Sequence, residues 1–176
     1  MSKAVMLSIR PKWCEKIVNG EKTIEARKTR PKLKTPFKCY IYCTLPKYPH
    51  EDFIATDYPM PQFYGGGKVI GEFTCERIAP ITYDGGRLWC PTNAAFSPAT
   101  CLSQAEIIAY IGDKGRCYGW HISDLKIYDT PRELGEFERP YECGECNAKW
   151  ASECNACYEE NKIKRAPQSW CYVEEG

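Results

Sequence analysis

Two groups of residues in this chain have types and spacings that do chemistry. The first is Cys143, Cys146, Cys154 and Cys157, two Cys-x2-Cys pairs separated by seven residues. Each pair can bend around one metal ion, and two pairs complete a tetrahedral thiolate shell at about 2.3 Å per bond. Gly144, Asn147, Asn155 and Ala156 supply the small or turn-forming residues such knuckles favour. Four thiolates leave no open coordination position, so the spacing predicts a structural zinc ion. In a segment this poor in large apolar residues, the metal would stand in for a hydrophobic core.

The second group is Gly20, Lys22, Glu25 and Arg27 in the string GEKTIEAR. On a strand Glu25 and Arg27 share one face. There a carboxylate can accept from base or sugar donors, and a guanidinium can hold an anion or a carbonyl edge. Strict alternation puts Lys22 on the opposite face, so it joins them only from a turn before the strand. A catalytic version would use Glu25 or Glu72 as general base for water, with Lys22 or Arg27 stabilising the developing oxyanion. A purely structural version is a Glu25–Arg27 pair that ties a barrel to a loop.

The elements that must position these groups are short. VMLSIR, residues 5–10, reads as a strand, and Pro11 suits the first position of a helix over residues 11–19 that Gly20 ends. Residues 22–28 alternate like a half-buried strand, with Ile24 and Ala26 on one face. After the basic loop TRPKLKTPF, strands are expected at 38–44 and 68–78, with the proline-rich stretch 45–66 as a long loop. A second helix over 103–111 opens on a serine cap and stops at Gly112. Residues 116–128 form a long strand or bent pair, and 169–173 a last strand. Several short strands, two short helices and no βαβ alternation favour an α+β protein built on a small mixed barrel.

Composition narrows the setting. The 176 residues are 43% hydrophobic and 13% aromatic, as in a folded globular protein. No stretch approaches the roughly 18–20 apolar residues of a membrane span, and the N-terminus lacks a signal-peptide core. A cytoplasmic location is expected, where clustered cysteines mean metal and the eight scattered ones mean small buried side chains. The net charge of +1 hides an asymmetry: residues 1–50 carry 12 Lys/Arg against 3 Asp/Glu. Such a basic third suits an anionic ligand.

LSIRPKW before the first helix, GEKTIEARK after it and GKVIGEF on the later strand together resemble the ASCH domain, a branch of the PUA-like superfamily. GRCYGWHISDL and the terminal PQSWCYV are similar to its short bacterial and prophage-encoded members. The resemblance implies a PUA-like barrel over 1–128 and 166–176, flanked by short helices; the cysteine segment 129–165 lies between its strands and reads as a zinc-knuckle insertion. It also implies a cleft holding Lys22, Glu25 and Arg27 that binds RNA, other nucleic acid or a modified nucleoside. Some members hydrolyse acylated cytidine nucleosides, and ribonuclease activity occurs within the group. The hydrolase branch looks to use a threonine nucleophile at the position of Glu25, so here only Thr23 offers a nearby hydroxyl, and Glu72 the later carboxylate.

The expectation is therefore an RNA- or nucleoside-binding cleft. Ser8, Arg10 and a stacking tryptophan, Trp120 foremost beside Trp13 and Trp170, are further ligand contacts. Lys28, Arg30, Lys32 and Lys34 are placed on phosphates. The alternatives are a hydrolase of the same ligands and a zinc-containing adaptor that docks other proteins.

Overall fold

The computed structural model describes residues 2–45, 66–84, 86–90, 96–140, 154 and 161–176. Periodicity and capping chemistry fix the local elements. A continuous apolar run, Ala4 to Leu7, buried on both faces, makes strand β1, Lys3–Ile9, and Pro11 at the first turn starts helix α1, Pro11–Val18. β2 is Ile24–Arg27 and β3 is Phe37–Cys43. β4, Lys68–Asp84, runs six residues past the expected end and turns back into β5, Arg87–Trp89, which the sequence did not announce. Helix α2, Phe96–Thr100, is likewise new. Helix α3, Gln104–Ile111, is opened by a capping box in which Ser103 and Glu106 satisfy each other's backbone N–H groups. β6 is Arg116–Arg132 and β7 is Trp170–Glu174.

The strands form one mixed sheet in the order β2-β6-β4-β3-β1-β7, with β5 added to β4. β1 and β3 run parallel, and every other pair is antiparallel. The α+β barrel reading holds. β3 shows how the sheet divides the core: Phe37, Cys39, Ile41 and Cys43 point inward with Leu7, Ile9, Cys14, Ile17 and Trp120. Tyr40 and Tyr42 point outward onto Met6, Val69 and Val173. A third cluster joins Ile81 and Cys117 to Ile107 and Ile111 of α3.

The long strands β4 and β6 serve all three clusters because their pairing shifts register three times. Each shift bends the ribbon and lets a different face turn inward. Gly71 sits at one shift, where an added Cβ would lie 2.5 Å from the carbonyl oxygen of Lys126. Backbone cannot yield that space cheaply, so Gly71→Ala is expected to cost about 1–3 kcal/mol in chemical denaturation. An unchanged midpoint would show that the β4–β6 ribbon moves apart freely.

Of the eight scattered cysteines, Cys14, Cys39, Cys43, Cys75 and Cys117 are buried as small core side chains, while Cys90, Cys101 and Cys171 are half-buried. Burial pushes the Cys14 and Cys39 thiols well up, and Cys117 up to about 12. They stay protonated and inert near neutral pH.

Where the sequence ended the barrel at Tyr128, β6 continues to Arg132, and Phe137 and Ile163 are buried on the outer face of the sheet. Ile163 N–H donates to the Phe137 carbonyl and Arg139 N–H to that of Asn161, bringing the two flanks of segment 140–160 side by side. Cys143, Cys146 and Cys157 lie outside the described residues, as does most of the 45–66 loop. Among the described residues, no helix is long and apolar enough to cross a membrane.

Candidate functional site

The sheet ends on β2 at one side and β7 at the other, and its curl brings these ends face to face. The seam between them is closed by a side chain. Arg27 of β2 donates from one terminal nitrogen to the Ser8 carbonyl of β1 at 2.8 Å. The other terminal nitrogen donates to the Ser169 carbonyl, 3.1 Å away beside β7, and lies 3.3 Å from the Ser169 hydroxyl. A planar fork of fixed donors suits such a clasp, where a flexible ammonium would lose more entropy per bond.

Glu25 orients the clasp. One carboxylate oxygen lies 3.0 Å from Arg27 and the other 3.3 Å from Lys22 Nζ. Lys22 reaches this face from the turn before β2, as the convergence of the motif requires. Its ammonium also donates to the Ile24 carbonyl at 2.9 Å and the Thr100 carbonyl at 2.7 Å, tying the end of α2 to β2. All three donors of the ammonium are thereby used. Lys22, Glu25 and Arg27 are only 3, 6 and 7% exposed. The triad holds two cations against one anion in a place from which water is largely removed.

Above the triad lies an open cleft of about 890 Å³. Among the described residues, five cationic side chains line it, Arg10, Lys12, Lys22, Arg27 and Lys28, against two carboxylates, Glu25 and Glu106. Glu106 is already engaged by the Ser103 cap, which holds its carboxyl below the usual range. Trp13 lines one wall, with Lys12 Nζ 4.4 Å and Lys22 Nζ 5.2 Å from its ring centre. Tyr110 lines the cleft as well, with Lys28 Nζ 5.3 Å from its ring. The arrangement combines surplus positive charge with flat aromatic faces.

Several expected site residues belong here. Ser8, Arg10, Trp13, Lys22, Glu25, Arg27 and Lys28 all line the cleft. Others do not. Trp120 is fully buried between Phe37 and Trp170, with ring centres 5.8 and 6.1 Å away, so it is core and has no face for a ligand. Trp170 packs on Tyr172, and its indole N–H donates to Thr29. Glu72 sits opposite Tyr40 and points to the outer face, where Tyr128 donates to it at 2.6 Å. It lies outside the cleft and cannot act as base there. Arg30 lies over the Tyr118 ring, and Lys32 and Lys34 are exposed outside the cleft lining.

Thr23 is also outside the lining, its backbone spent on Ala99 and Ile122. The cleft serines serve structure: Ser8 donates to the Pro167 carbonyl at 2.6 Å, and Ser169 faces Arg27. Neither has a neighbouring base among the described residues. Sequence reasoning missed Thr100, Ser169, Lys12 and Tyr110. Only Lys12, inside RPKW, carried a local signal; Thr100 meets Lys22 through a contact 78 residues away in sequence.

No family model and no curated protein matches the chain. Solved structures do. The crystal structure of ASCH from Zymomonas mobilis superposes with a TM-score of 0.59 at 17% identity, covering 98% of this chain and 88% of that one. This chain has the ASCH fold. A tyrosine-to-phenylalanine variant of the same protein gives a TM-score of 0.59 at 17% identity, over 99% and 92% of the two chains. A serine-to-alanine variant gives 0.57 at 18%, over 98% and 89%. In the ASCH fold as this chain builds it, the Lys-Glu-Arg motif is the seam clasp and the floor of the cleft at once.

Proposed function

We propose that the cleft binds nucleic acid, with single-stranded RNA as the natural ligand class. One observation carries the reading: among the described residues, five cations face two carboxylates around a hollow with Trp13 on its wall. Phosphates satisfy the surplus charge, and a base has a flat ring to stack on. Glu25 adds specificity, since each of its oxygens has lone-pair capacity beyond its one ion pair and can accept from a base or sugar donor. The resemblance of the motifs to ASCH domains, a group associated with RNA, agrees with this.

The test is a salt series. Lys12 and Lys28 stand on the cleft wall and are exposed, so Lys12→Ala/Lys28→Ala removes charge without touching the clasp. With a uridine decamer, the log–log salt slope should fall by about 1.4, given about 0.7 per single-strand phosphate contact. Equal slopes and affinities in variant and parent would end the reading.

Cys143, Cys146, Cys154 and Cys157 we assign to one structural zinc ion in the cytoplasmic protein, on their spacing and their thiolate chemistry. The paired flanks at Phe137–Ile163 and Arg139–Asn161 hold the residues on either side of the cysteine segment next to each other. Protein purified without added metal should carry one zinc per chain, and Cys143→Ser/Cys154→Ser should lose it. Substoichiometric zinc in the parent would remove the assignment.

A further inference from the structure

Beyond the cleft, the end of the sheet formed by β4, β5 and β6 has two faces of opposite character. One carries Ile81, Leu88 and Cys117 and packs against Ile107 and Ile111 of α3. The other is set by register. Trp89 pairs with Thr82, Thr82 with Arg116, Asp84 with Arg87, and Pro80 with Tyr118. Residues opposite one another in a ladder share a face, as do residues two apart. Trp89, Arg87, Arg116 and Tyr118 therefore project together, away from α3.

This face is open. Trp89 is 59% exposed, and Arg87 and Arg116 are exposed too. Arg30 of the basic loop completes the row, its guanidinium carbon 5.8 Å from the Tyr118 ring centre. Among the described residues, three arginines stand with one acid, Asp84, and alternate with two aromatic rings. Trp89 adds an exposed flat face on which a partner can stack. Charge complementarity makes that partner polyanionic, and the interleaved rings make it one with flat unpaired groups. The row spans roughly 12 Å by strand spacings and rise, room for about two extended nucleotides.

The row also joins the cleft. Lys28 stands on the cleft wall, and Arg30 lies two residues on, while Arg27 pairs across the ladder with Tyr118. We infer that Arg30, Tyr118, Arg116 and Trp89 form a second contact surface, which takes the continuation of a single-stranded nucleic acid leaving the cleft. The inference rests on the cleft being a nucleic-acid site and adds a direction of travel and a minimum ligand length. A strand shorter than about three nucleotides fills the cleft alone.

The experiment compares uridine monophosphate with a uridine decamer on the full chain, by fluorescence anisotropy and competition. Trp89→Ala/Arg116→Ala should weaken the decamer about tenfold or more and leave the monophosphate unchanged. Trp89→Phe, which keeps a stacking ring, should stay within about threefold of the parent. The cleft variant Lys12→Ala/Lys28→Ala should weaken both ligands. Decamer affinity unaffected by Trp89→Ala/Arg116→Ala, with the cleft variant still defective, would overturn the second surface and spare the cleft. Absence of binding by the parent to either ligand would overturn both. All the substituted side chains are exposed, and thermal unfolding of each variant confirms that the fold is intact.

Discussion

Glu25→Gln is expected to lower stability by about 3–5 kcal/mol, the range found when one partner of a buried ion pair is removed. In a chain of this size that corresponds to roughly 6–20 °C of Tm. The substitution keeps the volume and deletes only the charge. Lys22 and Arg27 would then face each other 3 and 7% exposed with no anion between them. Arg27 also loses its orienting partner, so its bonds to Ser8 and Ser169 across the seam weaken with it. Lys22→Met in the same background removes one of the two stranded cations. The double variant should therefore lose less than the sum of the singles, a coupling that a double-mutant cycle reads directly. A Tm change under about 2 °C for Glu25→Gln would mean that water reaches the triad and that it does not clasp the barrel.

Trp120→Ala is expected to cost a similar amount, about 3–5 kcal/mol, by opening a cavity in the inner core. Trp120 touches Phe37 edge-on and Trp170 at a tilt, and its burial is complete. The substitution decides between two roles for the same residue. A core residue should destabilise the fold when truncated, and Trp120→Leu, which removes the ring but keeps an apolar side chain, should bind the uridine decamer with the parent's affinity while folded. A stacking platform should do the reverse. Loss of decamer affinity in a fully stable Trp120→Leu protein would return the residue to the ligand site.

Much of the local structure was written in the chain. Pro11 and Ser103 started the helices, and Gly20 and Gly112 ended them, because caps and backbone freedom act over three or four residues. The strand expected at 38–44 lies at Phe37–Cys43, one residue earlier. Length was harder. β4 and β6 outran their expected ends because their register shifts change which face is buried, and a fixed period of two cannot follow them. β5 and α2 are too short for any period to register.

The motif itself shows where such reading stops. Spacing alone placed Glu25 and Arg27 on one face and named the turn as the condition for Lys22 to join them. It could not place a partner for the ammonium, since the Thr100 carbonyl arrives from a helix far along the chain. Glu72 and Trp120 were plausible site residues by type, and only the curl of the sheet sent one outside and the other into the core. A strand pattern says which residues share a side; it does not say what that side meets. That is settled when distant strands pair, because burial and ion pairing are properties of the assembled sheet.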